Sequence, residues 1–232
     1  MSTYKPDIHA VLFDLDGTLL DTAPDLVLAL NKLLQKHNKK TVKTEDARNI
    51  VSQGSVAITR YGFPEVIDEN EFEVLRKEFL HLYLQAVCID TQFFNGIESL
   101  LETIESSNIP WGIVTNKPGA MTDPLLEELA LTKRAKCVVS GDTLNVRKPH
   151  PEPLIHASSI IGLSPHQTIY LGDDPRDIYA GNAAGMYTCI AEYGYIEPDL
   201  DTKQWGADFS IKHPSELLNH ITLSAPINEM GT

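Results

Sequence analysis

Residues 8–22 read Ile-His-Ala-Val-Leu-Phe-Asp-Leu-Asp-Gly-Thr-Leu-Leu-Asp-Thr. Ile8 to Phe13 is a short apolar run of the kind that becomes a buried strand. It ends in Asp14 and Asp16, two carboxylates one residue apart, followed at once by Gly17 and Thr18. Ligands of α/β sheets bind just beyond the carboxyl ends of the strands. A strand that delivers two acids to that edge is therefore a candidate catalytic centre. Asp-Gly is also an ordinary turn dipeptide, and an Asp after a strand can simply cap the next element. The rest of the chain decides between the two.

The chain has 232 residues, 42% hydrophobic and 22% charged, enough for one large α/β domain or a core with a smaller companion. No apolar run approaches the length that spans a bilayer, and the first residues lack the apolar segment of a signal peptide. The three cysteines (Cys88, Cys137 and Cys189) are odd in number and widely spaced. That spacing fits free thiols in a reducing cytoplasm and offers no zinc site. A net charge of −13 argues against nucleic acid or an anionic membrane as partner. It also means that an anionic substrate would need a local cation, which a divalent metal held by the acids would supply.

After the opening strand, Thr22-Ala-Pro-Asp25 has the form of a helix start, with Thr22 as cap, and Leu26, Val27, Leu30, Leu33 and Leu34 follow at helical spacing. A second helix is expected after Thr44, and a third from Ser55 toward Tyr61, beyond a break at Ser52-Gln-Gly-Ser55. An amphipathic segment runs from Asp68 to Val87. Residues 22–90 thus read as helical throughout. From about Asn95 the pattern alternates, with strands expected at 111–115, 137–140, 168–171, 187–191 and 208–211 and helices between them. Such alternation predicts a doubly wound, mostly parallel α/β sheet of Rossmann-like form, with the helical block inserted after its first strand. Residues 222–232 read as a frayed tail.

Three later stretches meet the opening acids at the same sheet edge. Thr115-Asn-Lys-Pro118 ends a strand with a hydroxyl, an amide and loop N–H groups, all able to donate to an anion; a polar strand-to-helix loop looks the same. Lys148 precedes Pro149, Pro151 and Pro153, alternate prolines expected to keep the backbone extended and the lysine aimed, although surface lysines are common. Tyr170-Leu-Gly-Asp-Asp-Pro-Arg-Asp177 again ends a strand in carboxylates, Asp173 and Asp174, with Asp177 close behind. Acids this dense favour a bound cation or a helix N-terminus. Mg²⁺ takes one or two carboxylates with water and substrate phosphate, which two acidic strand ends would provide.

Together, Asp14-Leu-Asp-Gly-Thr18, Thr115-Asn116, Lys148-Pro149 and Gly172-Asp-Asp…Asp177 resemble the four motifs of the haloacid dehalogenase superfamily, in order and in spacing. The resemblance covers nearly the whole chain. It implies an α/β core over residues 1–19 and 92–232, with a helical cap of the C1 type over 20–91. Within the superfamily, Asp14 to Asp25, Val114 to Pro118 and Lys148 to Leu154 look like the phosphoglycolate phosphatase branch. Gly172 to Ile178, Tyr193 to Pro198 and Trp205 to Asp208 are most similar to bacterial N-acetylmuramic acid 6-phosphate phosphatases.

The implied activity is Mg²⁺-dependent hydrolysis of a small phosphate monoester, with N-acetylmuramic acid 6-phosphate and 2-phosphoglycolate as candidate substrates. Carried onto matching positions, Asp14 is the nucleophile that forms an aspartyl-phosphate, and Asp16 protonates the leaving alkoxide and then activates water. Mg²⁺ is expected on Asp14, the Asp16 carbonyl and Asp173. Asp177 and Asp174 are expected to assist from behind, Thr115, Asn116 and Lys148 to hold the phosphoryl oxygens, and Thr18 to orient Asp16. Asp174 departs from the Ser or Thr common in the wider family. The cap selects the substrate, with Gln53 and Gly54 as candidate contacts, though any turn between helices has this composition. A bulky residue at Gly54 is expected to alter substrate preference more than stability. A phosphomutase would share every motif; a non-catalytic binding protein would have lost one of the acids, and a dehalogenase needs no metal. The oligomeric state is not encoded in any exposed stripe.

Overall fold

The computed structural model describes residues 5–197 and 199–226. In chain order the strands are β1 (Asp7–Ile8), β2 (Ala10–Phe13), β3 (Leu20–Asp21), β4 (Gln92–Phe93), β5 (Trp111–Val114), β6 (Cys137–Val139), β7 (Thr168–Gly172), β8 (Tyr187–Ala191), β9 (Phe209–Ile211) and β10 (Thr222–Leu223). The helices are α1 (Ala23–Lys36), α2 (Thr44–Ala47), α3 (Gly54–Gly62), α4 (Glu69–Leu84), α5 (Ile97–Ser106), α6 (Gly119–Glu128), α7 (Glu152–Ile161), α8 (Pro175–Ala184) and α9 (Leu217–His220).

Six strands form one parallel sheet in the order β6-β5-β2-β7-β8-β9. The first strand to form a side of this sheet, β2, lies inside it. The chain builds outward from it through β5 and β6, then crosses back to β7, β8 and β9. The carboxyl end of β2 is therefore the topological switch point, where open α/β sheets place their ligands. Both faces of β2 are covered, as a parallel sheet requires. Val11 and Phe13 join one apolar cluster with Ile113, Ile169 and Leu171, whereas Leu12 joins Val114, Tyr170, Leu154 and Ala157 in another.

The expected strand over residues 8–13 bends at His9 and splits. Its first part, β1, pairs in parallel with β10, Asp7 opposite Thr222 and Ile8 opposite Leu223. The tail expected from residue 222 is thus a strand at its start. The Thr222 N–H donates to the Pro6 carbonyl at 2.9 Å and the Ser224 N–H to the Ile8 carbonyl at 3.0 Å. Two residues of strand are too short to leave a periodic signal. Residues 227–232 of that expected tail lie outside the described residues.

The helical block α1–α4 occupies the expected stretch. Its entry and exit strands, β3 and β4, pair antiparallel with Leu20 opposite Phe93 and Asp21 opposite Gln92. Leu26, Leu30 and Leu33 of α1 share a core cluster with Phe72, Leu75 and Phe79 of α4. Thr22, expected to cap α1, makes no side-chain cap bond. No helix of the described residues is long and apolar enough to cross a membrane.

A second lock ties the two ends of the helical block. The buried Asp25 carboxylate accepts from the N–H groups of Ile89, Asp90 and Thr91, each at 3.0 Å, and from the Thr91 hydroxyl at 2.6 Å. Removing the acceptor strands these donors, and a single buried unsatisfied donor already costs about 1–3 kcal/mol. Asp25→Ala is expected to lower unfolding free energy by roughly 2–4 kcal/mol in urea titration, a larger loss than an exposed Asp→Ala change such as Asp201→Ala gives.

Candidate active site

Asp14 stands on the residue after β2, with its N–H donated to the Leu171 carbonyl of the neighbouring strand at 2.8 Å. Facing it is Lys148, whose side chain is only 2% exposed. The ammonium lies 2.8 Å from Asp14 Oδ1 and 2.6 Å from Asp177 Oδ1. It also donates to the Val114 carbonyl at 3.0 Å and to the Tyr170 hydroxyl at 2.7 Å. Burial alone would push the Lys148 ammonium down; Asp14 and Asp177 outweigh it and hold the group above its ordinary value. Burial and the neighbouring Asp177 push the Asp14 carboxyl well above the usual range, against the pull of Lys148.

The aim of Lys148 is set differently from expectation. The proline run is not extended. The chain turns, with the His150 N–H donating to the Arg147 carbonyl at 2.9 Å, and the Lys148–Pro149 peptide bond is cis. Lys148 is held instead by Asn116. The Asn116 amide donates to the Lys148 carbonyl at 2.9 Å and its Oδ1 accepts the Lys148 N–H at 3.0 Å. The Asn116 side chain, expected on an anion, is thereby occupied. Thr115 stays buried at the end of β5, its hydroxyl oxygen accepting the Lys117 N–H at 3.1 Å.

Asp173 follows β7 and is buried against Gly17. Gly17 sits at φ +87°, and a Cβ there would collide with the Asp173 carboxylate, so glycine is required twice over. The tight turn at Gly17 sends the Thr18 hydroxyl to Asp173 Oδ1 at 2.9 Å, not to Asp16 as expected. Asp173 Oδ2 accepts from the Ser52 hydroxyl at 2.8 Å and the Tyr195 N–H at 3.0 Å. Burial and Asp177 still push its carboxyl up to about 7, against the lowering effect of those three donors.

Asp14, Asp173 and Asp177 each offer an oxygen within 4.8 Å of the others. Three buried carboxylates around one ammonium leave negative charge uncompensated. Asp14 Oδ1 is paired with the Lys148 ammonium, and no other donor among the described residues reaches it. An all-oxygen donor set of this kind fits a hard divalent cation. Asp177, like Asp173, has both oxygens engaged, the first with Lys148. Its second oxygen accepts the Asp174 N–H at 3.1 Å in a reciprocal capping box at the start of α8. Asp174 turns away from the triad and pairs with Arg176 at 2.7 Å.

Asp16 faces the cavity beside this cluster. Its Oδ1 accepts from the Thr22 hydroxyl at 2.6 Å and from Lys117 Nζ at 2.9 Å. Thr22 therefore takes the orienting role expected of Thr18. The cavity has a volume of about 400 Å³, within the range of small-molecule pockets. Core residues Asp14, Asp16 and Lys148 line one side, and Gln53, Gly54 and Phe79 of the helical block line the other. Gly54 adopts φ +80° and ψ −176°, a conformation essentially confined to glycine. A bulky residue there would strain the backbone, so it would cost stability as well as alter contacts.

A family model for haloacid dehalogenase-like hydrolases matches residues 11–191. The chain belongs to that family. The N-acetylmuramic acid 6-phosphate phosphatase of Pseudomonas aeruginosa is 39% identical over 91% of this chain and 94% of its own length. The phosphoglycolate phosphatase of Xanthomonas campestris is 41% identical over 90% and 94% respectively. Among solved structures, a predicted phosphoglycolate phosphatase from Haemophilus somnus superposes with a TM-score of 0.81 at 25% identity, covering 91% of this chain and 97% of that one.

Four residues of this hydrolase site had no individual role in the sequence reading, although each lies in a stretch singled out there: Ser52, Lys117, Tyr170 and Arg176. Ser52 of the helical block meets Arg176 of α8, since the Arg176 guanidinium donates to the Ser52 carbonyl at 2.6 Å. Tyr170, two residues before Gly172 on β7, and Lys117, directly after Asn116, were the two that local pattern could have marked.

The buried acids set a pH dependence. A carboxyl whose native pKa lies above its unfolded value holds its proton longer in the native state, so stability falls as pH rises between the two. For Asp173 that window runs from its ordinary value of 3.8 to about 7. Without metal, the melting temperature is expected to fall by several degrees from pH 5 to pH 7.5, and more gently in Asp173→Asn. Millimolar Mg²⁺ is expected to raise it at pH 7.5 in the wild type and not in Asp173→Asn, read by scanning calorimetry.

Proposed function

We propose that this phosphatase of the haloacid dehalogenase-like family hydrolyses a small phosphate monoester through an aspartyl-phosphate on Asp14, with Mg²⁺ as cofactor. The observation that carries the reading is the single edge where a buried carboxylate touches a fixed ammonium and a second carboxylate, two residues on, faces the cavity. In the first half, an Asp14 oxygen attacks phosphorus while the bond to the leaving oxygen breaks and Asp16 gives that oxygen a proton. In the second half, Asp16 takes a proton from water, the water oxygen attacks phosphorus, and the Asp14–phosphorus bond breaks to free the carboxylate and phosphate. Asp14, Asp173 and the Asp16 carbonyl would hold Mg²⁺, which when bound supplies positive charge between the anionic phosphate and the anionic nucleophile. Lys148 and the Thr115 hydroxyl would hold phosphoryl oxygens, with Asn116 fixing Lys148 and contributing its backbone N–H. Asp177 steadies the ammonium, and Thr18 steadies Asp173.

Residues 20–91 act as a cap on a core of residues 1–19 and 92–232, and the substrate lies between them. The cap side of the cavity carries Leu26, Val51, Ile58 and Phe79. Apolar lining of that extent supports a substrate with a carbon skeleton reaching beyond the phosphate. This favours N-acetylmuramic acid 6-phosphate, the substrate in the Pseudomonas relative's name, over 2-phosphoglycolate, with Gln53 at the contact. The free thiols of Cys88, Cys137 and Cys189 suit a reducing cytoplasm.

Phosphate release from both esters, with and without Mg²⁺, tests the reading. Mg²⁺-dependent release is expected, faster per active site with N-acetylmuramic acid 6-phosphate. An isomerised sugar phosphate without free phosphate would make the chain a mutase. Asp14→Asn is expected to lose at least about 10⁴-fold in kcat while keeping the wild-type circular dichroism. Near wild-type turnover in that variant would refute the nucleophile.

A further inference from the structure

Lys117 belongs to none of the roles above, yet it sits at the junction of everything that moves a proton. Its side chain is 7% exposed, and its ammonium lies 2.9 Å from Asp16 Oδ1. From the other side the ring of Tyr83, on α4 of the helical block, covers it at 4.7 Å from the centroid. The Lys117 backbone is pinned as well: its N–H donates to Thr115 Oγ1 at 3.1 Å, and its carbonyl accepts the Gly141 N–H at 2.9 Å and the Thr122 hydroxyl at 3.2 Å. A lysine with a clamped backbone and a buried ammonium has few rotamers left to choose from.

We propose that Lys117 is a positioning residue that, with Thr22, holds one Asp16 oxygen so that the other points at the leaving group, and that Tyr83 seats Lys117 only when the cap lies against the core. Both partners fall on Oδ1. A carboxylate held at one oxygen by a hydroxyl and an ammonium keeps a single orientation, whereas one held by Thr22 alone turns about its Cβ–Cγ bond. The Tyr83 hydroxyl is buried without a hydrogen-bond partner, so packing and the ammonium are what fix its ring. Aim of the proton donor is thereby tied to seating of the helical block, and an ester that does not let that block close meets a poorly aimed acid.

The inference rests on Asp16 being the proton donor, and the test separates the two. Turnover is measured with Mg²⁺ on a series of aryl phosphates whose leaving groups run from phenol to 4-nitrophenol, in wild type, Lys117→Met and Tyr83→Leu. An aimed acid matters most for the poorest leaving group. The wild type is expected to show little dependence on the leaving group. Lys117→Met is expected to lose about 100-fold in kcat/KM on phenyl phosphate and less than about fivefold on 4-nitrophenyl phosphate; kcat/KM ends with transfer to Asp14 and so leaves out the water-activating half, which is common to every ester. Tyr83→Leu is expected to shift the same way, by about tenfold on phenyl phosphate. A uniform loss across the series, or no loss, in Lys117→Met overturns the proposal, and an unchanged profile in Tyr83→Leu overturns the link to the cap. A wild type already as steep as the variant would instead remove Asp16 as donor, and this inference with it.

Discussion

One ammonium among three buried carboxylates is the constraint on which the rest of the molecule depends. Lys148 touches Asp14 and Asp177 and is enclosed by Val114 and Tyr170. Buried charge is tolerated only when paired, and breaking such a pair leaves a charge with no solvent to turn to. Each neighbour of this cluster can be understood as meeting that condition. Tyr170 and the Val114 carbonyl complete the coordination of the ammonium, Asn116 fixes the backbone that carries it, and α8 begins with a capping box that shares Asp177. What remains uncompensated is negative, which is what makes the cluster a site for a cation and not just a buried ion pair.

The sheet brings this about with economy of chain. The acids of β2 and β7 stand on adjacent parallel strands, in register at Phe13 and Leu171, so Asp14 and Asp173 follow from the same edge. Thr115 comes from the end of β5, the other neighbour of β2, and Lys148 from the loop after β6. The helical block enters and leaves through the paired strands β3 and β4, immediately after Asp16, and returns to the edge in two places. Ser52 bonds Asp173, and Tyr83 covers Lys117. The core thus provides fixed charge, while the helical block closes the cavity and contributes its apolar wall.

Much of this was legible in the sequence because it is local in the sequence. Apolar runs ending in Asp14, Thr115 and Asp173 mark the ends of strands, and the alternation that follows dictates a parallel sheet. The contacts that could not be read are those that need the fold. Ser52 lies 121 residues from Asp173 and Lys117 lies 101 from Asp16, and nothing in either stretch announces the partner. The exchange between Thr18 and Thr22 has a different cause. Which hydroxyl reaches Asp16 is decided by the left-handed turn at Gly17, whose direction a list of residue types does not contain. The prolines after Lys148 misled for a similar reason, since proline restricts one torsion and serves a turn as readily as an extended run. The pairing of β1 with β10 is two residues long, below any periodic signal.

The most direct test of the account is to stop the enzyme in acid during steady turnover of a phosphate ester with Mg²⁺ and map the protein by mass spectrometry. A phosphoryl group on the peptide containing Asp14, absent in Asp14→Asn and lost on treatment with hydroxylamine, is the predicted result. Steady phosphate release with that peptide unmodified, or with the group on another residue, would contradict it.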